Sequence, residues 1–475
     1  MSMLNKILKT PTKLEWLIFA YLFIGFSYFY NSMPGWNVNT RMDLIYAIVN
    51  TGHLDIGYLI EKPGYETMDL ALYKGQYYCD KSPILSFLGV PVFWVWGQLS
   101  DVLGRNVPDY VGRYWVTLFT VGLYTSALGA LMFRFTGFWR KDPPLQLLVS
   151  LLAVMGTMLL PYGTLFMSHN AAACFAFLSY FIIYAALKNR ESWGKNKFQW
   201  VLLGGGFTMG MAVSIENPVG IVMLGMLVYL FYRLPVKKEF AWFLYGLFFG
   251  LILPMPYNWA CFGSPFTSGY KYEVDPYFRT EMAQGLMGVK FPQWHAFWGI
   301  TFSTYRGLFF SSPVMLLGFY GIYRLIRDTQ KRADGLLIAY ILVGFILFNS
   351  SYFAWWGGWS IGPRHIIPMI PFVVLSIYAV LPRWKYPVIG LGSLSVLIMM
   401  AHTLTDPQVR DNLYFPLKEF AIPNLIDGKF QYNVMAEWGL NGYLSTGIWC
   451  LFVIGGAVYL FSQAFALARS SEENS

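Results

Sequence analysis

The polar stretch between Pro34 and Pro83 contains the residues whose types and spacing best suit chemistry. Asp43 lies in a segment with apolar residues at helical spacing, and a carboxylate partly shielded from water is suited to act as a general base. Asp80 and Lys81 come just before Pro83, which favours the first turn of a helix, and the positive end of a helix attracts phosphate. The stretch therefore predicts proton abstraction and phosphate binding.

Both features also have a purely structural interpretation. Asp43 could cap or charge the N-terminus of a short amphipathic helix that lies on the membrane. Lys81 could extend from the membrane interface to the phosphates of surrounding lipids. The residue types alone do not decide between these roles.

Two later segments combine arginine with aromatic residues. A planar guanidinium group can bond two phosphate oxygens, and aromatic rings suit the apolar face of a sugar or an isoprenoid chain. The alternative is an aromatic belt at the membrane interface with a snorkelling arginine. The residues concerned are Tyr305, Arg306, Trp356, Trp359, Arg364 and His365.

The composition places these residues in a membrane protein. Of the 475 residues, 56% are hydrophobic and 12% are charged, whereas a soluble domain carries about 25% charged residues. Apolar runs of about 16 to 20 residues recur along the chain, and helices of that length cross a hydrocarbon core. The formal charge of +9 is spread through short loops, which favours membrane topology over nucleic-acid binding as its explanation. The sequence predicts an all-α polytopic fold.

Basic residues in the short loops orient the predicted spans. We expect about 12 spans in a single transmembrane domain, residues 1–475, with both termini in the cytoplasm. The outer loops are then 34–112, 258–312 and 403–443. The predicted spans are 15–32, 113–133, 146–160, 171–187, 241–257, a helix after Pro313, 335–350, 366–382, 387–402, 444–462, and a hairpin over 199–232 that turns near Glu216.

The apolar segment 84–99 does not fit this scheme. If it crossed the membrane, every later loop would invert and the basic clusters would lie outside. We therefore expect an embedded or interfacial helix of the outer leaflet, in keeping with its Trp94 and Trp96. The first outer loop would then carry amphipathic juxtamembrane helices.

Three further features leave alternatives open. Glu216, at the turn of the hairpin, marks either a functional position or an ion pair with Arg306 or Arg364. His169 is either a helix cap or a contact to substrate or metal. The cysteines show no metal-ligand spacing, but Cys79 and Cys261 both fall in predicted outer loops, which leaves a disulfide between them open.

The segment from Gly75 to Pro83 reads Gly-Gln-Tyr-Tyr-Cys-Asp-Lys-Ser-Pro. Together with the acidic residue in a short helix after the first span, it resembles the family-39 type of GT-C membrane glycosyltransferases, over about residues 31–115. The resemblance implies a polyprenyl-phosphate sugar donor, with Asp43 as the base and Lys81 as a phosphate contact. It also puts Asp80 where relatives have a metal-binding glutamate, which leaves a divalent metal ion open as a cofactor.

The sequence departs from the family in one respect. The usual pair of acidic residues after the first span is absent, because Asp43 is preceded by Arg41 and followed by Leu44. Asp55 and Asp69 thus remain rival bases.

These observations predict an inverting glycosyltransferase at the outer face of the cell membrane. It would transfer a sugar from a polyprenyl-phosphate donor to a hydroxyl of a glycan, lipid or protein acceptor, with membrane lipids around it and no nucleic-acid partner. A transporter or flippase of lipid-linked sugars is the alternative, and a membrane acyltransferase or phosphatase is a third hypothesis. The predicted residues are Asp43 for catalysis, Lys81, Arg306 and Arg364 for the donor phosphate, Arg41, Asp69, Tyr305, Trp356, Trp359 and His365 for the acceptor or sugar, and Asp80 for a metal.

Overall fold

A computed structural model describes residues 11–30, 35–102, 104 and 109–472. Pro34, where the polar stretch of the sequence analysis begins, lies outside these residues. The first helix begins after Thr12, whose hydroxyl accepts from the Glu15 N–H while the Glu15 carboxylate accepts from the Thr12 N–H, a capping box. Glu15 also pairs with Arg134 at 2.6 Å, which fixes this helix end to a neighbour.

The first half of the chain is helical apart from one β-hairpin. Its elements are α1 (Lys13–Phe26), α2 (Trp36–Thr51), β1 (Leu70–Tyr73), β2 (Gln76–Cys79), α3 (Ile84–Val102), α4 (Asp109–Thr117), α5 (Leu123–Thr136), α6 (Pro143–Met155), α7 (Leu159–Tyr162), α8 (Ser168–Asn189), α9 (Lys195–Ile215) and α10 (Gly220–Arg233). A π-helical turn, Leu118–Gly122, joins α4 to α5.

The second half continues the helical bundle. Its elements are α11 (Phe240–Leu251), α12 (Met255–Phe262), α13 (Pro276–Met282), α14 (Trp294–Thr301), α15 (Leu308–Ser311), α16 (Leu316–Arg327), α17 (Arg332–Ser351), α18 (Ile370–Ile377), α19 (Lys385–Thr405), α20 (Ile422–Ile426), α21 (Val434–Glu437) and α22 (Gly442–Glu472).

Within the described ranges, seven helices are long and apolar enough to cross a membrane, which confirms a multi-pass membrane protein. Three shorter apolar helices, 143–155, 217–233 and 364–380, accompany them. Each predicted span overlaps a helix, but the count of 12 and the orientation of the termini stay predictions. The segment 84–99 lies in α3, which packs on α2 and α4 and is not among the seven. Its interfacial position also stays a prediction.

Helices α9 and α11 pack with their backbones in contact because small residues line their interface. A Cβ added to Gly206 would lie 2.0 Å from the Phe243 carbonyl oxygen, and one added to Gly246 would lie 1.9 Å from that of Leu203. Such approach is the usual way in which membrane helices gain packing area. Since Glu216 directly follows Ile215, the last residue of α9, this contact also helps to position that carboxylate.

The first outer loop differs from expectation in two details. The chain is mostly helical, but β1 and β2 form an antiparallel hairpin around Lys74 and Gly75, both at positive φ. Helix α2 is buried continuously from Val38 to Ala47, and Asp43 lies inside the helix rather than at its cap. The juxtamembrane position of the helices in this loop stays a prediction.

The disulfide left open by the sequence is not formed. Cys79 and Cys261 are both buried free thiols. They pack in a second, small apolar core beneath the hairpin, together with Tyr257, whose hydroxyl donates to the Cys79 carbonyl at 3.0 Å. The hairpin is therefore fixed to α12 by packing and by this hydrogen bond.

Candidate active site

The β-hairpin brings Asp69, before its first strand, next to Lys81, after its second strand. Leu70 pairs with Cys79, so Asp69 before β1 faces Asp80 and Lys81 after β2. The Nζ atom of Lys81 lies 3.2 Å from Oδ2 of Asp69 and also contacts the Asp80 carboxylate. The side chain of Asp80 is fully buried, whereas those of Lys81 and Asp69 are 12% and 24% exposed. Asp69 is thus the more accessible of the two carboxylates.

Glu273 joins this group, and the sequence analysis missed it. The residue bridges to Ala71 on β1, and the adjacent Val274 N–H donates to the Leu70 carbonyl at 2.9 Å. Burial, reinforced by the charge of Asp80, raises the pKa of Glu273 to about 10. Glu273 is therefore protonated at neutral pH, beside the charge of Asp80. The one signal for Glu273 in the sequence was its position next to a run of aromatic residues that includes Tyr270 and Tyr272.

Lys81 keeps its charge in this setting. Burial favours the neutral amine, but the carboxylates of Asp69 and Asp80 hold the pKa of Lys81 well above its usual value. The ring of Tyr270 lies 5.2 Å from Nζ and covers the ammonium group. The result is a fixed positive charge at the start of α3.

A second chain of contacts leads from α2 to the end of α9. Nη2 of Arg41 donates to the Ser168 hydroxyl at 3.1 Å, and that hydroxyl donates to the Glu216 carboxylate. Nδ1 of His169 lies 3.4 Å from Oε2 of Glu216. Glu216 is therefore paired through α8, and not with Arg306 or Arg364 as one interpretation of the sequence held. His169 lies at the start of α8, where its ring also packs on that of His365.

His365 and Arg364 complete the group from the other half of the chain. The His365 ring lies 5.8 Å from that of His169 and 5.3 Å from that of Tyr352. Burial raises the pKa of Tyr352 to about 12, while Lys81 and Arg364 lower it, so both cations act on this one phenol. We call Asp69, Asp80, Lys81, Glu216, Glu273, Tyr352, Arg364 and His365 the polar centre.

Arg364 is half-buried, and its Nε atom has no hydrogen-bond partner among the residues that the structure describes. Gly357, at a φ of 74°, lets the arginine stem pass, because an added Cβ would lie 3.0 Å from its Cγ. A buried donor without a partner favours a ligand that supplies an acceptor. Arg364 is thus suited to bind an anion.

Arg306 has a different role from the one predicted. It is 1% exposed, its Nε donates to the Trp356 carbonyl and its Nη2 to that of Gly358, both at 3.1 Å, and its guanidinium covers the ring of Tyr305 at 4.2 Å. These donors are used within the protein, so Arg306 does not present a fork to phosphate. It shapes the loop between α17 and the 364–380 helix.

The predicted aromatic contacts lie around this loop. The Tyr305 hydroxyl donates to the Asp411 carbonyl at 2.7 Å, and Trp359 is 48% exposed with Arg410 5.5 Å from its ring. Trp356 is partly buried. The structure thus links Tyr305 and Trp359 to the 406–411 segment, and places His365 rather than these rings in the polar centre.

Asp43 lies apart from the polar centre. Asp43 follows Arg41 by two residues in α2. Two residues correspond to a rotation of about 200° around the helix axis, so the two side chains project from opposite faces of α2. Asp43 is 1% exposed, neither oxygen has a hydrogen-bond partner among the described residues, and its charged neighbours are Arg113 and Glu66. Burial raises the pKa of Asp43 to about 8. The carboxyl is therefore largely protonated at pH 7.

Asp55, the other rival base, anchors the hairpin. Its Oδ1 accepts from the N–H groups of Gly57 at 2.9 Å and Tyr77 at 3.1 Å. Both hydrogen bonds hold the loop before the hairpin against β2, so this oxygen is used within the protein. Asp55 is therefore a structural residue.

The polar centre does not fit a divalent ion as it stands. The ammonium group of Lys81 lies between the carboxylates of Asp69 and Asp80, where a cation would lie. In the described part of the chain, no three His, Cys, Asp or Glu side chains gather as a metal site. The metal at Asp80 stays a prediction without structural support.

Neither a model of a known protein family nor a curated protein matches the sequence. Among solved structures, the chain is similar to ArnT from Cupriavidus metallidurans bound to undecaprenyl phosphate, with a TM-score of 0.50 and 14% identity over 95% of this chain and 76% of that chain. The apo form of ArnT gives a TM-score of 0.49 at 14% identity over the same shares. An apo oligosaccharyltransferase from Archaeoglobus fulgidus gives 0.43 at 11% identity, over 95% of this chain and 56% of that one. The fold of this chain is therefore similar to that of ArnT.

Proposed function

We propose that the protein is a glycosyltransferase that moves a sugar from a polyprenyl-phosphate donor to a hydroxyl of a glycan, lipid or protein acceptor at the outer face of the membrane. The observation that carries this proposal is the contact of Lys81 with the accessible carboxylate of Asp69, in a polar centre where Arg364 is a second cation near Tyr352. The fold likeness to a structure that holds undecaprenyl phosphate supports the lipid donor.

Lys81 and Arg364 would hold the donor phosphate. Negative charge develops on this phosphate as the bond to the sugar breaks, and fixed cations in a site shielded from water stabilise that charge strongly. Lys81 supplies a point charge, and Arg364 supplies the Nε donor, which has no hydrogen-bond partner among the described residues. Arg306 has no part in this step.

Asp69 is the base that the geometry favours. In the proposed step, the Asp69 carboxylate takes the proton of the acceptor hydroxyl, and the acceptor oxygen forms a bond to the anomeric carbon. The bond from that carbon to the phosphate oxygen breaks, and its electron pair leaves with the lipid phosphate. Attack opposite to the leaving group inverts the configuration. Lys81 would contact both the base, Asp69, and the phosphate that leaves. It would therefore link proton abstraction to departure of the lipid phosphate.

Asp43 is the weaker candidate for this role. Its carboxyl is almost fully buried, and its electrostatic neighbours are Arg113 and Glu66 rather than Lys81 or Arg364. A base must lie within hydrogen-bond reach of the hydroxyl it deprotonates, directly or through one water. Asp43 meets this condition only if the acceptor enters between α2 and α4, away from the proposed phosphate site.

The test uses full-length protein purified in detergent and a panel of polyprenyl-phosphate sugars labelled in the sugar. Asp69→Asn should lower turnover by about a thousandfold while undecaprenyl phosphate still binds, since general-base catalysis contributes about 10²–10⁴-fold. Asp43→Asn is the matched variant and should keep most of the turnover. If Asp69→Asn kept full activity and Asp43→Asn lost activity, Asp43 rather than Asp69 would be the base.

A second measurement separates transfer from transport. Reconstituted vesicles report whether the labelled lipid-linked sugar changes leaflet without release of the sugar from its phosphate. We expect cleavage of the sugar–phosphate bond and no faster movement between leaflets than in empty vesicles. Movement without cleavage would favour the transporter.

A further inference from the structure

A cavity of about 250 Å³ lies at the far end of the bundle from the polar centre. Helix α17 begins with Arg332 beside the cavity and ends at Ser351, directly before Tyr352 of the polar centre. A helix of 20 residues is about 30 Å long, which is the thickness of a hydrocarbon core. The cavity and the polar centre therefore belong to opposite membrane faces.

The cavity is lined mainly by cations and aromatic rings. Arg140, Arg324 and Lys331 are three cationic groups against the single carboxylate of Asp328. Asp328 is already engaged by Nζ of Lys331 at 3.3 Å and by the Gln330 N–H at 2.9 Å. Asp142, whose carboxylate lies 4.0 Å from Nε of Arg140, offsets one further charge, so three cations face two carboxylates and a net positive charge remains.

Arg140 is held in a fixed position, and some of its N–H donors have no hydrogen-bond partner among the described residues. Its Nη1 donates to the Leu381 carbonyl at 2.7 Å, and its guanidinium lies 4.8 Å from the centre of the Tyr378 ring. Nη2 is buried without a hydrogen-bond partner among the described residues, and Nε lies 4.0 Å from the Asp142 carboxylate, beyond hydrogen-bond distance. Buried donors left unpaired cost free energy, so this group favours a ligand that only accepts hydrogen bonds.

The size and surroundings of the cavity narrow the ligand further. A water molecule occupies about 30 Å³ in the liquid, so the cavity has room for a phosphate group with several attached atoms. The rings of Trp139 and Tyr378 line one side, and aromatic residues of this kind lie at the level of lipid headgroups. Basic pockets between helices at a membrane surface suit anionic headgroups.

We propose that this cavity is a second anion site, which binds a phosphate group through Arg140, Arg324 and Lys331, far from the polar centre. The phosphate belongs to an anionic phospholipid headgroup or to a soluble phosphate. The site does not depend on the proposed glycosyl transfer, because none of its residues belongs to the polar centre.

Native mass spectrometry of the full-length protein in neutral detergent tests the proposal. The probes are dioctanoyl phosphatidylglycerol, dioctanoyl phosphatidylcholine and inorganic phosphate. We expect one phosphatidylglycerol bound more tightly than phosphatidylcholine, and Arg324→Gln and Lys331→Gln should each weaken that binding about fivefold. Arg140 is left intact, because it also holds the Leu381 carbonyl. The control is Lys238→Gln, which removes an exposed charge that does not line the cavity.

Each outcome has a definite meaning. Phosphatidylglycerol that binds and is not displaced by inorganic phosphate assigns the site to a lipid headgroup. Binding of inorganic phosphate with the same dependence on Arg324 and Lys331 assigns it to a soluble phosphate. If neither probe binds, or if Lys238→Gln weakens binding as much as Lys331→Gln does, the proposal is overturned. The folded state of each variant is checked by its melting temperature.

Discussion

The ammonium nitrogen of Lys81 lies 3.2 Å from Oδ2 of Asp69 because the two residues flank one β-hairpin. The register of that hairpin, with Leu70 opposite Cys79, sets this distance. A slip of one residue would move every side chain of a strand to the other face. The turn at Lys74 and Gly75 and the two hydrogen bonds to Asp55 fix the register, so the geometry of the polar centre depends on residues that do not touch it.

The first prediction concerns the charge of Lys81. Lys81→Met keeps the length of the side chain but removes the cation, and transfer should fall by about a hundredfold or more, as when one electrostatic stabiliser of a transition state is removed. Lys81→Arg should recover part of the activity. The measurement is kcat/KM with the labelled donors. Lys62→Met, at an exposed lysine of the same loop, is the matched control and should leave kcat/KM unchanged.

The sequence predicted a multi-pass membrane protein and named several residues of the polar centre. Asp69, Lys81, Arg364 and His365 were named because their types suit phosphate and sugar chemistry, and the structure brings them together. Their neighbours Glu273 and Tyr352 were missed, because long-range packing places them there and no local pattern marks them. The sequence pattern does not show whether the guanidinium of an arginine donates its hydrogen bonds to backbone carbonyls, as that of Arg306 does, or keeps them for a ligand.

The second prediction compares two arginines that looked alike in the sequence. Arg364→Gln should weaken binding of undecaprenyl phosphate about tenfold or more, since a hydrogen bond to a charged group contributes about 1.5–3 kcal/mol. Arg306→Gln should instead lower the melting temperature, because the carbonyls of Trp356 and Gly358 lose their donors. Lipid binding and thermal melting of both variants check this. The opposite assignment of effects would return Arg306 to the phosphate site.

The third prediction concerns the pH dependence that Glu273 contributes. Its pKa is about 10 in the folded protein against 4.5 for an exposed glutamate. The folded state binds the proton more tightly, so this contribution is complete below about pH 4.5 and is lost as the pH rises towards 10. Glu273→Gln mimics the protonated form. Its melting temperature should match that of the wild type at pH 5 and exceed it at pH 9, and parallel curves would contradict a protonated Glu273.

The fourth prediction applies the same reasoning to Asp43. Burial raises its pKa from 3.8 to about 8, so its contribution to stability is complete below about pH 3.8 and is lost as the pH rises to 8. Asp43→Asn should therefore melt at a higher temperature than the wild type at pH 8.5 while transfer continues. If Asp43 were the base, the wild-type kcat/KM would instead rise tenfold per pH unit up to about pH 8, and the variant would be inactive.

The fifth prediction tests the contact between α9 and α11 with two glycines of one helix. Gly206→Ala would place a Cβ 2.0 Å from the Phe243 carbonyl oxygen, so the helices must separate and the melting temperature should fall by several degrees. At Gly204 nothing lies within 4 Å of an added Cβ, and alanine there should stabilise the helix by about 0.5–1 kcal/mol. Because Glu216 directly follows α9, Gly206→Ala should also lower transfer activity at temperatures where the variant remains folded. Equal melting temperatures for the two variants would show that the close helix contact does not contribute to stability.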